Sequence, residues 1–187
     1  MIVLDPSLYR RMAWKNGGGA TTEIAIDPPE AKVSGGRFNW RISIADVTAD
    51  GPFSLFPGYE RRIMLLQGQG MVLDIEGQKP IELLRPFVPR GFSGDSKVNG
   101  KLSAGAVRDF NLITDHQTCR ARLVSLFLDG RHRLKAPDGM LMGYVASGEV
   151  SSGGRTVGPG HTIRLDAEEL DITGEGAVLA VASLRKI

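Results

Sequence analysis

Between Phe38 and Ala45 the chain alternates strictly, with Phe38, Trp40, Ile42 and Ile44 on one side of an extended segment and Asn39, Arg41 and Ser43 on the other. A period of two excludes a helix. The pattern returns where Thr22, Ile24 and Ile26 alternate with Thr21, Glu23 and Ala25, and where Met71, Leu73 and Ile75 alternate with Val72, Asp74 and Glu76. The 24 glycines and 10 prolines interrupt these runs often enough to predict many short strands rather than long helices. Turns are expected at Asp27-Pro28-Pro29, Ser34-Gly35-Gly36, Asp50-Gly51-Pro52, Gly68-Gln69-Gly70, Asp129-Gly130, Asp138-Gly139 and Gly158-Pro159-Gly160. Further strands are predicted over residues 63–66, 106–113, 121–128, 140–146, 162–165 and 177–184, and one from Ile81 that Pro86 breaks. Residues 96–103 read as a long polar connection, and residues 166–170 as a short helical turn capped by Asp166. The fold class is all-β.

A chain of 187 residues buries a sizeable core as one domain or two packed halves. A formal charge of +2 gives no electrostatic reason to bind nucleic acid or a membrane surface. The single Cys119 can form no internal disulfide, the opening residues show no positively charged segment followed by an apolar stretch and cleavage site, so no secretory leader is expected, and no apolar run reaches the roughly 18 residues of a membrane span. A cytoplasmic location is the simplest expectation.

Polar chemistry concentrates in the first half. Trp14-Lys15-Asn16-Gly17-Gly18-Gly19 is a glycine-softened turn that is either a plain β-turn or the edge of a site. Glu23 and Arg41 sit on neighbouring predicted strands, each opposite an apolar face, as an ion pair or as half of a ligand clamp. Val107, Asp109 and Asn111 share one side of a later strand, where the two polar groups need water or partners. Metal chemistry finds little support. His116, His132 and His161 are far apart in sequence, and no pair has the spacing of a metal site. Neither a Gly-x-Ser-x-Gly elbow nor a phosphate-binding glycine loop is present. A weak internal similarity links residues 64–70 with residues 144–150, each a strand running into a glycine turn, and favours two similar barrels over one large sandwich.

The ordered series Trp14-Lys15-Asn16-Gly17-Gly18-Gly19, Thr22-Glu23-Ile24, Trp40-Arg41-Ile42-Ser43, Phe53-Ser54-Leu55-Phe56-Pro57-Gly58 with Arg61, Phe92-Ser93-Gly94-Asp95 and Arg108-Asp109-Phe110-Asn111-Leu112 resembles the HutD/Ves family. The resemblance spans residues 14 to 113; the last third matches only in length and strand pattern. It implies a bicupin, two cupin-like β-barrels of the jelly-roll type in one chain. These are placed at residues 1–115, with the pocket, and 116–187, packed against the first and sharing strands with it. It also implies a bacterial cytoplasmic protein and, for the HutD branch, a link to histidine utilisation through sensing or limiting a small carboxylate such as urocanate or formylglutamate. No enzymatic activity is established for the family. Metal-binding cupins carry a His-x-His pair where this chain has Pro57-Gly58-Tyr59-Glu60-Arg61-Arg62, and Gly158-Pro159-Gly160-His161 offers one histidine at the later motif.

The favoured expectation is a metal-free regulatory protein, without cofactor, that binds a small carboxylate through Arg41 or Arg61, with Asn16, Glu23, Ser43, Asp109 and Asn111 orienting the ligand. Nucleic acid and membranes are not expected partners; a homodimer is left open. One alternative is a metal-independent lyase or isomerase acting on a small carboxylate, with Glu23 or Asp109 as general base. The other is a protein-interaction module, marked by a broad exposed apolar patch.

Overall fold

The computed structural model describes residues 1–33, 35–136 and 139–187, so Ser34 and Asp138, expected in turns, lie outside the described residues. The strands in chain order begin with β1 (Ile2–Leu4), β2 (Arg10–Ala13), β3 (Gly19–Asp27), β4 (Trp40–Val47), β5 (Gly51–Pro52) and β6 (Tyr59–Gln67). They continue with β7 (Met71–Ile75), β8 (Ile81–Leu83), β9 (Arg90–Ser93), β10 (Val98–Leu102), β11 (Val107–Asp115) and β12 (Cys119–Lys135). The last are β13 (Met140–Ser147), β14 (Val150–Ser152), β15 (Arg155–Val157), β16 (Thr162–Asp166) and β17 (Glu169–Lys186). Among the described residues the one helical piece is a 3₁₀ turn at Pro6–Leu8, capped by the Asp5 side chain, which accepts from the Ser7 N–H. No helix among them is long and apolar enough to cross a membrane.

Two compact units emerge, Met1–Tyr9 with Arg120–Ile187, and Arg10–Cys119. In the first, a seven-stranded sheet runs β1-β16-β13-β17-β14-β15, with β12 also on β17, and forms one nearly closed cupin-like barrel. Its core holds Leu128, Val145, Ile163, Leu165, Ile172 and Leu179. The N-terminal strand belongs here because Ile2 pairs with Arg164 and Leu4 with Thr162, whereas a cut at residues 115/116 groups it with the other unit.

The Arg10–Cys119 unit has a six-stranded sheet, β2-β3-β4-β11-β6-β9, and a four-stranded sheet, β5-β10-β7-β8. Ala45, Val47, Ile63, Leu65 and Val107 of the larger sheet pack with Met71, Leu73, Ile75, Leu83 and Val98 of the smaller one. A smaller cluster gathers Ile26, Phe38, Tyr59 and Ile113, with Phe38 and Tyr59 rings 4.6 Å apart. A nearly closed barrel is thus found in one unit, and two sheets in the other.

Three local expectations are corrected. Residues 96–103 are not a loop: Val98–Leu102 is a strand paired with β7 and β5, its alternation masked by Gly100, which leaves room for the Phe53 ring. No helical turn forms after Asp166, which accepts from Arg164 Nε instead; Ala167 turns at φ 49° and β17 starts at Glu169. Asp129-Gly130 does not end its strand, because Gly130 takes φ 85° within the 17-residue β12 and the strand runs on.

Two neighbouring glycines before β3 are constrained differently. Gly17 sits at φ 72° in open space, so Ala there meets only backbone strain, expected to cost about 1–2 kcal/mol. A Cβ on Gly19 would lie 2.3 Å from the Asp46 carbonyl oxygen and 3.1 Å from the Trp14 ring. Gly19→Ala must therefore push β3 off β4, and urea denaturation is expected to show a loss of about 3 kcal/mol, larger than for Gly17→Ala.

Candidate functional site

Sheet register builds the site. Ile113 of β11 pairs with Arg41 of β4 on one side and with Arg61 of β6 on the other, so both arginines lie in one row across three adjacent strands. Two interstrand spacings place their backbones about 10 Å apart with side chains on the same face. The next row holds Ser43, Asn111 and Ile63, and the one beyond it Ala45, Asp109 and Leu65. The inner face of the sheet thus grades from apolar at Val47 and Val107 to cationic at Arg41 and Arg61. A β-bulge between Glu23 and Ala25 adjusts the pairing of β3 with β4 beside Arg41.

A cavity of about 590 Å³ opens over the polar end of this face. Arg41, Ser43, Arg61, Asn111 and Asn16 line it, together with Trp14, Val33, Phe53 and Phe56. Glu23 reaches its wall through Arg41, whose Nε donates to Glu23 Oε2 at 2.7 Å; among the described residues the Arg41 Nη groups make no hydrogen bond. Asn16 sits exposed at the rim, where its Oδ1 accepts from the Gly18 N–H at 3.1 Å and fixes the turn. Trp14 closes that turn, donating Nε1–H to Thr21 Oγ1 at 2.8 Å. Asp109 does not line the cavity. It lies behind Asn111, fully buried, and accepts a very short hydrogen bond from Asn111 Nδ2.

Arg61, 6% exposed, donates Nη1–H to the Ser54 carbonyl at 3.1 Å and Nη2–H to Asn111 Oδ1 at 3.2 Å. Its Nε has no partner among the described residues, nor has Asp109 Oδ2. Three rings surround the guanidinium, Phe53 at 5.2 Å, Phe56 at 5.4 Å and Phe92 at 4.9 Å from Cζ to ring centroid, an aromatic collar that partly replaces lost hydration. Burial pushes the Arg61 guanidinium down to about 10; the Asp109 charge opposes the shift and nearby Arg41 adds to it. Burial likewise raises the Asp109 carboxyl to about 7, against the pull of Arg61 and the Asn111 hydrogen bond.

Five of the seven expected site residues therefore line one cavity, Glu23 supports it and Asp109 stands behind it. The sequence reading missed Phe53, Phe56 and Phe92 as a collar. Their signal was present as phenylalanines flanking turns, but aromatic residues in strands are ordinarily read as core. Among the described residues no group of three or more His, Cys, Asp or Glu is placed to hold a metal ion. His161 lies in the other unit, its Nδ1 3.2 Å from the Gly158 carbonyl.

The HutD family model matches residues 7–180. The chain belongs to the HutD family. It is 49% identical over 151 residues to an uncharacterised 21.2 kDa protein of the hutC 3′ region of Pseudomonas putida, a match covering 80% of this chain and 76% of that protein. The structure of HutD from Pseudomonas fluorescens SBW25 superposes with a TM-score of 0.84 at 36% identity, covering 100% of this chain and 98% of that one. A conserved protein of unknown function from Pseudomonas aeruginosa PAO1 gives 0.87 at 34% identity, with 98% of each chain covered. The 7S globulin of Momordica charantia, only 8% identical with a TM-score of 0.63 over 97% of this chain and 83% of that one, shares the fold alone.

The Asp109 carboxyl gives this HutD-family chain a signed pH dependence. It holds its proton to about pH 7 when folded but releases it near 3.8, its ordinary value, when unfolded. The folded chain binds more protons across that window, so this contribution to stability falls as pH rises through it and levels off above about 7. Asp109→Asn is expected to gain stability relative to the parent as pH rises from 4 to 8, read from urea midpoints. Asn111→Ala, which strips a donor from Asp109 and an acceptor from Arg61, is expected to lose about 2–4 kcal/mol.

Proposed function

We propose that this chain is a metal-free, small-carboxylate-binding regulatory protein of histidine utilisation, which senses or limits urocanate or formylglutamate. The observation that carries the reading is the convergence of two almost fully buried guanidiniums, Arg41 and Arg61, on one cavity with hydrogen-bond donors left over. A planar fork of N–H donors matches a carboxylate better than any other side chain does, and removal from water strengthens the attraction. Arg61 is the principal anion partner, with Arg41, Ser43 and Asn111 orienting the ligand and Asn16 at the mouth. Apolar walls from Trp14, Val33 and Phe53 suit the carbon body of such a ligand. The relatives support the reading: the Pseudomonas putida protein is described from the hutC 3′ region, and the Pseudomonas fluorescens HutD structure from a formate condition, formate being the smallest carboxylate. We read the Arg10–Cys119 unit as a second cupin-like barrel that carries the ligand site between its sheets.

The lyase or isomerase alternative draws on Asp109, whose carboxyl is raised to about 7 and so is suited to proton transfer. Its burial behind Asn111 counts against it, since a general base must reach the proton it abstracts. The test is calorimetric titration with urocanate and formylglutamate. Binding by at least one is expected, and Arg61→Ala is expected to weaken it by about 10- to 150-fold, the worth of a charged hydrogen-bonded contact. Absence of heat and of thermal stabilisation with both compounds sinks the proposal.

A further inference from the structure

Arg41 and Arg61 are buried alike but balanced differently. Glu23 holds Arg41 in a direct 2.7 Å ion pair. Among the described residues Arg61 touches no carboxylate; the neutral Asn111 amide stands between it and Asp109, accepting from one and donating to the other. Asp109 in turn keeps one oxygen, Oδ2, without a partner among the described residues in a fully buried place, a position that favours the neutral acid over the anion. We propose that Asp109 is the positioning residue that sets the charge of the Arg61 site, and that a carboxylate bound at Arg61 is accompanied by uptake of one proton at Asp109. This inference rests on the carboxylate-binding reading above.

The physical reason is charge balance. In the empty pocket Arg61 is the main group that favours ionised Asp109. A ligand carboxylate on Arg61 takes over that counter-charge and adds a negative neighbour, so the buried anion loses its support. The other charged groups around Asp109 do not restore it. Arg41 of β4 is taken up by Glu23 of β3. Asp46, also of β4, disfavours the anion further, and is itself paired with Arg11 of β2 and Arg108 of β11. From β7 and β8 the core receives apolar Met71, Leu73, Ile75 and Leu83, and from β10 Val98. Asn111 transmits the state: with Oδ1 engaged by Arg61, its Nδ2 must face Asp109, and a protonated Asp109 still offers Oδ1 as acceptor through its carbonyl oxygen.

Because the Asp109 carboxyl lies at about 7 in the free protein, the linkage has a sign and a window. Well below pH 7 the proton is already present and affinity is flat. Above it the proton must be supplied, so affinity falls by about tenfold per pH unit. The experiment titrates the full chain with formylglutamate, whose carboxyls stay ionised throughout, in unbuffered chloride solution at pH 6 and pH 8, and counts the acid needed to hold the pH. Isothermal titration from pH 6 to 9 follows the affinity. Uptake close to one proton per site at pH 8 and little at pH 6 is expected, with affinity falling about 50-fold between pH 7 and 9. Asp109→Asn is expected to bind with no proton uptake and no fall in affinity over that range. Binding by the parent chain without uptake overturns the inference and leaves the carboxylate reading standing, and so does uptake that persists in Asp109→Asn. No binding at any pH overturns both. If the variant fails to fold, the proton count on the parent chain decides alone.

Discussion

Burying the Arg61 guanidinium is the cost around which this half of the chain is arranged. Removing a charge from water costs several kcal/mol even after relaxation, and only well-placed acceptors or opposite charge offset it. Here the offset is spread over unlike partners: a backbone carbonyl at Ser54, a side-chain amide at Asn111, and the faces of Phe53, Phe56 and Phe92. Each ring contributes about 0.5–2 kcal/mol, so the collar rivals the two hydrogen bonds in weight. Gly100 belongs to the same arrangement, since a Cβ there would lie 2.7 Å from the Phe53 ring and displace it from Arg61.

What brings these groups together is strand register. Alternation along β4, β6 and β11 places every second side chain inward, and the pairing of Ile113 with both Arg41 and Arg61 fixes the arginines in one row. A one-residue slip of β6 against β11 would turn Arg61 outward and Arg62 inward, exchanging the buried cation for a different one. The apolar rows further along, with Ile63, Leu65, Val107 and Val47 packed on the smaller sheet, oppose that slip. Core packing at one end of the sheet thus holds the chemistry at the other.

Much of this was legible from residues alone. The period-two runs locate β3, β4, β7 and β11, and the placement of Glu23 and Arg41 opposite apolar faces anticipates the ion pair that forms. Legibility failed where the deciding fact was tertiary. In β4 both faces are buried, so apolar Trp40, Ile42 and Ile44 did not mark the core side against a solvent side; Arg41 and Ser43 share a face with core residues Ala45 and Val47. Val98–Leu102 escaped notice because glycine and lysine sit within a five-residue strand. Asn16 and Asp109 read alike, as residues orienting a ligand held by Arg41 or Arg61, yet one ends at the rim holding a turn and the other behind the wall. Periodicity assigns a face to a side chain but no depth.

Depth decides the division of labour between the two arginines. An arginine already paired with a carboxylate gains little from a second anion, because the added charge must compete with Glu23 for the same guanidinium. Arg61 has neutral acceptors and aromatic faces instead, which lower the cost of its burial without cancelling its charge. On the proposed reading, an incoming carboxylate would meet a desolvated, positioned cation that needs little reorganisation. The Asn111 amide stabilises this arrangement: it accepts from Arg61 and donates to Asp109, which keeps the carboxyl close enough to support the Arg61 charge but out of direct contact with the guanidinium. A carboxylate side chain in direct contact with Arg61 would make a second structural ion pair like that of Arg41 with Glu23, and would cancel the charge that the proposed site needs.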